Sequence, residues 1–378
     1  MLYEHISLEL VLFFILYGVT GVVPLLAALY LLLRRGNAFA PDVTTPVRLR
    51  RWSASFFGLS VLMHVWWLLF YIHSSSCHID KDLYHSAVYV AMVVLDTMAL
   101  LTTIAGTLLA MLQDRHRPVW PVFAAMVPYV TLGVVLIVNP GKLMFYIGIA
   151  YVLLLYLLFT VYMVFSVRQY RRWLHGNYAD LERKEVSLTF SVVLFFMLLF
   201  FFYALVDIDN SILLYALHIF QLMFYVFLLW RVETLQQLDT KEQSVPLRAM
   251  DGESVGADGN SVRINLRQIE QLLAERCMDT QLYLQHDLTL MQLSRVIGVN
   301  RYYLSQYFSS QGTTYNAFIN GLRIQHFISL YREAVADQRT FTIKQLAHDS
   351  GYRSYSTFSL AFKQRMGQNV TEWVRESG

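Results

Sequence analysis

Residues 293–308 read LSRVIGVNRYYLSQYF, and residues 346–362 read LAHDSGYRSYSTFSLAF. Each stretch opens as a short helix, meets a glycine (Gly298, Gly351), and resumes as a second helix behind a capping residue (Asn300, Ser354). A glycine at that point supplies the positive φ that lets two helices meet sharply, which is the helix-turn-helix design. Leu304 and Phe308 in the first unit, and Phe358, Phe362 and Met366 in the second, fall on the inward stripe. The other face of each second helix is then free to enter a DNA major groove, about 12 Å wide and able to admit one helix.

Between the two units, YNAFINGLRIQHFISLYREAV (315–335) reads as one long helix, a rod that sets their separation. Adjacent major-groove faces lie ~34 Å apart, so one chain can address two grooves. Upstream, INLRQIEQLLAERC (264–277) places Leu266, Ile269, Leu272 and Leu273 on one helical face. Residues 263–378 hold thirteen Lys or Arg against nine acids, a net of +4, compatible with phosphate contacts.

Over about residues 265–378 the chain resembles the AraC/XylS family of bacterial transcription activators. The carrying stretches are YYLSQYF (302–308), FINGLRIQHF (318–327) and IKQLAHDSGYRSYSTFSLAFKQRMGQNVTEW (343–373). In the last of these, Ile343, Ala347, Gly351, Tyr352, Ser354, Phe358, Phe362, Lys363 and Gly367 stand in register with the family's signature. The resemblance implies that both recognition helices present side chains to base edges. By position these are Arg301, Tyr302, Ser305 and Gln306 in the first, and Tyr355, Ser356, Ser359 and Leu360 in the second. Arg353, Ser354 and Lys363 would lie near phosphates. Double-stranded DNA and RNA polymerase are the expected partners. A homodimer is expected on a separate ground: a loose linker transmits rotation poorly, whereas two associating bundles raise the effective concentration of two reading domains. Three departures stand out. Leu360 replaces a common arginine. Asn369-Val370 replaces the usual Thr-Pro, which predicts a looser last turn. One residue is missing between Phe308 and Gly312.

The rest of the chain belongs to a different solvent. Of 378 residues, 56% are hydrophobic and only 15% charged, against roughly 25% charged in ordinary soluble proteins. The deficit falls in the first two thirds, where seven apolar runs follow one another: about 8–33, 52–72, 84–112, 119–138, 143–166, 186–206 and 210–230. About 20 apolar residues cross the hydrocarbon core of a bilayer. The fourth run is the weakest, because Pro121, Pro128 and Gly133 interrupt it. The loops after runs one, three and five carry twelve Lys or Arg, whereas the opposite side has only Lys81 and Lys142. The basic side is expected to be cytoplasmic. The N-terminus then lies outside and everything after Arg231 inside. Glu4 and Glu9 stand where a cleavable signal would have a basic region, so the first run is expected to be a mature span.

The expected fold class is all-α: a seven-helix transmembrane bundle (1–231), a helix extension and flexible linker (232–262), and a soluble domain with two helix-turn-helix units joined by a long helix (263–378). Glu233–Leu238 should prolong the seventh helix. DGESVGADGN (251–260) reads as the linker, and as a coil residues 239–262 would span ~27 Å. The expected site is the bacterial inner membrane, with a membrane or extracytoplasmic signal as input.

Within the apolar runs, Asp96, His64, His218 and Gln221 are candidate ligand-sensing positions, because a carboxylate at membrane depth must face the bundle interior or a wet cavity. An interhelical hydrogen bond that fixes packing is the plainer reading. His73, Cys77, His78, Asp80 and His85 carry metal-ligating atoms, but their spacing matches no closed metal motif, and neither metal nor cofactor is expected. Cys77 and Cys277 fall on opposite sides of the expected topology, which excludes a disulfide framework. Trp66, Trp67, Trp120 and Trp173 fit interfacial belts. No Walker loop, His-Glu-x-x-His or Gly-x-Ser-x-Gly motif is present, so no enzyme is expected.

Overall fold

The computed structural model describes residues 8–76, 87–139, 141–205, 211–238 and 266–377. Among these the chain is all-α, with no strand. It divides into two compact units. One comprises Met1–Arg168 with Val186–Leu238, and the other Gln169–Glu185 with Asp239–Gly378.

The first unit contains α1 (Leu8–Leu33), α2 (Val47–Ser76), α3 (Ala87–Met111), α4 (Trp120–Val138), most of α5 (Lys142–Asn177), α6 (Ser187–Leu205) and α7 (Ser211–Thr234). All but α6 meet the length and apolarity needed to cross a membrane, and α6 contains a shorter apolar stretch, Ser187–Leu199. The prolines of the fourth run are absorbed as helix chemistry allows. Pro121 sits in the first turn, where no N–H is needed, and Pro128 lies inside a helix that continues past it. Gly133 is a packing contact: a Cβ there would stand 2.6 Å from Val94 of α3. Gly106 does the same between α3 and α2, where a Cβ would meet the Trp52 ring at 2.4 Å.

This unit buries an apolar core that includes Leu31, Phe57 and Leu108, and it is apolar outside as well. Leu26, Leu33, Leu62, Leu69, Val138 and Leu143 are all at least 60% exposed, while Thr20, Ser53, Ser60 and Thr107 are buried. Thr20, Ser60 and Thr107 donate to carbonyls of the preceding turn, as Thr107 Oγ1 does to Thr103 at 2.9 Å, whereas Ser53 Oγ finds no partner among the described residues. The apolar side chains are left outward, over far more surface than a monomer in water tolerates.

Two expectations are corrected here. The fifth helix does not stop near residue 166. It runs 36 residues to Asn177, and its last turns belong to the second unit. Nor does α7 continue to Leu238. It ends at Thr234, and the following residues are pinned: Gln237 N–H donates to the Thr44 carbonyl at 2.7 Å, and Gln113 bonds the Gln236 carbonyl and the Leu238 N–H. Beside this tail Glu233 is fully buried. It pairs with Arg34 at 2.9 Å and accepts from the Tyr30 hydroxyl at 3.2 Å. The buried carboxylate and the tail contacts anchor the backbone there better than another helical turn would. The expected linker, residues 239–262, lies outside the described residues, as do Cys77, His78, Asp80 and His85 and the side chain of His73.

The second unit contains α8 (Leu266–Leu273), a π turn (Ala274–Met278), a 3-10 turn (Leu282–Leu284), α9 (Leu290–Ile297), α10 (Arg301–Ser310), α11 (Tyr315–Ala336), α12 (Ile343–Asp349), α13 (Tyr355–Met366) and α14 (Val370–Ser377). Two apolar clusters form its core. Ile269, Leu273, Leu293, Leu304 and Phe308 belong to the first, and Leu346, Phe358, Phe362 and Trp373 to the second. The spine is α11, 22 residues or ~33 Å long. It gives Tyr315 and Ile319 to one cluster, and Ile324, Phe327 and Tyr331 to the other.

Candidate nucleic-acid interface

Each helix-turn-helix unit is assembled by caps. Thr289 and Gln292 form a reciprocal capping box at the start of α9. Asn300 Oδ1 accepts from the Tyr302 N–H at 2.8 Å to start α10, and Ser354 Oγ accepts from the Thr357 N–H at 3.2 Å to start α13. Gly298 (φ +71°) turns the first unit and Gly351 (φ +88°) the second. Gly351 is doubly constrained, because a Cβ would fall 2.8 Å from the Leu284 carbonyl oxygen.

On α10, Leu304, Tyr307 and Phe308 point into the core, leaving Tyr302, Ser305 and Gln306 exposed on the opposite face. Arg301 is half-buried. Burial lowers its pKa from the ordinary arginine value, and the neighbouring Tyr178 counters that. On α13, Phe358, Ala361 and Phe362 are buried, while Tyr355, Ser356, Leu360 and Lys363 are exposed and Ser359 is half-buried. Leu360 stands on this outward face at 60% exposure. Arg353 is exposed and pairs with Asp287 at 2.9 Å. Of the eleven expected positions, Tyr302, Ser305, Gln306, Arg353, Tyr355, Ser356, Leu360 and Lys363 are exposed, while Arg301, Ser354 and Ser359 are half-buried.

Three expectations fail locally. Met366 is 37% exposed, because α13 ends there and Gly367, at φ +77°, turns the chain away. Leu266 is 46% exposed, since it starts α8, one turn outside the stripe formed by Ile269 and Leu273. The Asn369-Val370 pair does not loosen the last turn. The Asn369 N–H donates to Glu372 Oε2 at 3.2 Å, and Val370 is buried in the second cluster.

Sequence reading did not find Arg323. It is 1% exposed on α11. Its guanidinium donates to the carbonyls of Tyr283 and Gln285, both at 2.7 Å, and lies 5.5 Å from the Tyr352 ring centroid. It thus ties the loop before the first helix-turn-helix to the turn of the second. Burial lowers its pKa, and the nearby hydroxyls of Tyr352 and Tyr315 offset this.

Also unforeseen is the segment after α5. Tyr178 and Ala179 lie against the spine: Asn316 Nδ2 donates to both carbonyls, at 3.1 and 2.7 Å, and Asn320 Nδ2 donates to Ala179 at 3.2 Å. Glu182 accepts from the Ser354 and Thr357 hydroxyls at the start of α13, the latter at 2.7 Å. Lys184 is buried, with its ammonium 5.6 Å from the Tyr178 ring centroid. Burial lowers its pKa, and Asp180 is the main opposing charge.

The candidate sensing residues lie in the first unit. The Tyr17 ring stands 5.2 Å from His64 and 5.8 Å from His218, which places these two histidines on one aromatic residue. Gln221 donates to the Tyr225 hydroxyl at 2.7 Å. Asp96 accepts from the Trp67 indole N–H, an interhelical bond between α3 and α2. Among the described residues no His/Cys/Asp/Glu cluster suits a metal ion.

Comparison with known proteins bears on the second unit alone. Residues 293–376 match the family described as a helix-turn-helix domain. The TCP pilus virulence regulatory proteins of two serotype O1 strains of Vibrio cholerae are each 36% identical over 75 residues, 20% of this chain and 25% of theirs. The chain thus spans about a quarter of the length of the curated relatives it matches. No solved structure matches. With two capped units on one spine and the signature residues in place, the chain carries at its C-terminal end a helix-turn-helix domain of the AraC/XylS type.

Proposed function

We propose that this chain is a membrane-anchored, sequence-specific DNA-binding transcriptional regulator, a one-component sensor that couples a membrane or extracytoplasmic signal to transcription. The observation that carries the reading is the union, in one polypeptide, of a helical unit with an apolar exterior and a double helix-turn-helix whose outward faces carry Tyr302, Gln306, Tyr355 and Lys363. The apolar exterior fits lipid, with the basic loops on the cytoplasmic side of a bacterial inner membrane. The second unit then lies in the cytoplasm, where the chromosome is.

Base reading falls to Arg301, Tyr302, Ser305 and Gln306 in one groove, and to Tyr355, Ser356, Ser359 and Leu360 in the next. A good bidentate contact is worth about 1–3 kcal/mol of discrimination. Leu360 offers an apolar contact suited to a thymine methyl. Arg353, Ser354 and Lys363 face phosphates, where the helix N-terminus adds favourable partial charge. His64 and His218, sharing Tyr17, are the favoured sensing pair. Asp96, held by Trp67, is assigned to packing. Two copies associating in the membrane would raise the effective concentration of two reading domains on neighbouring half-sites, and RNA polymerase is the expected protein partner.

The test replaces Arg301, Gln306 and Lys363 with alanine in the full chain and measures DNA affinity against salt. Each lost phosphate contact should flatten the slope of log K against log salt by about 0.9. Unchanged affinity and slope would sink the assignment and point to a protein-binding role for the domain.

A further inference from the structure

The second unit contains a segment from outside the helix-turn-helix domain, and that segment sits where DNA is expected. Tyr178–Glu185 follows α5 directly and precedes α6. It is an ordered element. Trp173 stacks on Tyr170 with centroids 5.8 Å apart and meets Tyr178 at 5.7 Å. Tyr178 forms an isolated bridge with Thr289, the cap of α9. The Glu182 N–H donates to Asp180 Oδ1 at 2.9 Å, which turns the chain so that the Glu182 carboxylate reaches α13.

At α13 the carboxylate meets both hydroxyls of the first turn, Ser354 and Thr357. A helix start with hydroxyls and free N–H groups is a ready anion site. On DNA its anion would be a backbone phosphate. Here the anion is a carboxylate of the same chain, and the two cannot share one set of donors. The other end of the segment is held at the spine and the first helix-turn-helix: Asn316 donates to the Tyr178 carbonyl at 3.1 Å, and Tyr178 bridges to Thr289, the cap of α9. The segment thus engages α11 and the caps of α9 and α13 together.

We propose that Tyr178–Glu185 is an intramolecular competitor of DNA, with Glu182 standing in for a phosphate at the second recognition helix, so that DNA engagement requires its displacement. The inference rests on the DNA-binding reading above. The segment is continuous with α5 and α6, so a rearrangement of either helix reaches it through the backbone.

The experiment uses the full chain in lipid nanodiscs and a fluorescent 30-base-pair duplex of random sequence, which reports phosphate contacts independently of any target site. Glu182→Ala should tighten binding about tenfold. Glu182→Gln, which keeps the side chain's size, should tighten it less. Glu185→Ala makes the same charge change in the same segment, but Glu185 pairs with Arg171 of α5 at 3.4 Å, so the change should tighten binding no more than about twofold. In the wild type, amide hydrogen exchange across 178–185 should rise when the duplex is added. Equal effects of Glu182→Ala and Glu185→Ala, or a segment that stays protected on DNA, would overturn the inference and leave the DNA reading intact. Failure of every form to bind the duplex would remove both.

Discussion

Replacing Arg323 with methionine should open the second helix-turn-helix while leaving the aliphatic packing of the spine in place. The guanidinium makes two bonds of 2.7 Å to the carbonyls of Tyr283 and Gln285, and a longer one of 3.3 Å to His286. Bonds with a charged partner are worth about 1.5–3 kcal/mol each, and carbonyls left buried without a donor cost about 1–3 kcal/mol. Methionine removes the burden of burying a charge, which offsets part of this. A net loss of about 3 kcal/mol remains, which is roughly a hundredfold in an opening equilibrium. The assay is amide exchange in peptides covering Tyr355–Met366, followed in the full chain, because local opening sets those rates. Exchange should accelerate about a hundredfold there and hardly at all in α3. Acceleration below about threefold would refute the view that Arg323 joins the two helix-turn-helix halves of the second unit.

Gly351→Ala should act on the same junction, since it places a Cβ at φ +88° and 2.8 Å from the Leu284 carbonyl oxygen. A left-handed conformation costs an L-residue about 1–2 kcal/mol and overpacking about 1–3 kcal/mol. A drop of ~3 kcal/mol in the stability of the second unit is expected in denaturant titration, and a neutral variant would contradict it. Cys277 is fully buried, and burial pushes its thiol up to about 11 from an ordinary 9.0. The unfolded chain therefore loses this proton before the folded one does. Stability from this group is fully present below pH 9 and declines as pH rises from 9 toward 11. In a Cys77→Ser background, iodoacetamide labelling at pH 8 should wait for unfolding, and rapid labelling of the native chain would count against that burial.

Local signals carried most of the reading domain. Gly298, Gly351, Asn300 and Ser354 each do what their chemistry allows at their positions, and Leu304, Phe308, Phe358 and Phe362 repeat at helical spacing because they share cores on one spine. The apolar runs were legible for a similar reason, since length and composition alone qualify a helix to cross a bilayer. What stayed hidden depends on contacts between residues far apart in sequence. Arg323 resembles any basic residue on an amphipathic helix until its carbonyl partners, about 40 positions away, are placed. Glu182 sits in a charged stretch that reads as a loop, and nothing local links it to Ser354, 172 residues on. Helix ends were misjudged where tertiary bonds override periodicity, as with Arg34 and Glu233 at the end of α7.

The most direct test is to crosslink cells, isolate the membrane fraction, and recover the DNA bound to the full chain. The account predicts a small set of discrete chromosomal sites, lost when Gln306 and Lys363 are both replaced by alanine. A chain that sediments with membranes but enriches no DNA above background, or one found in the soluble fraction, would contradict it.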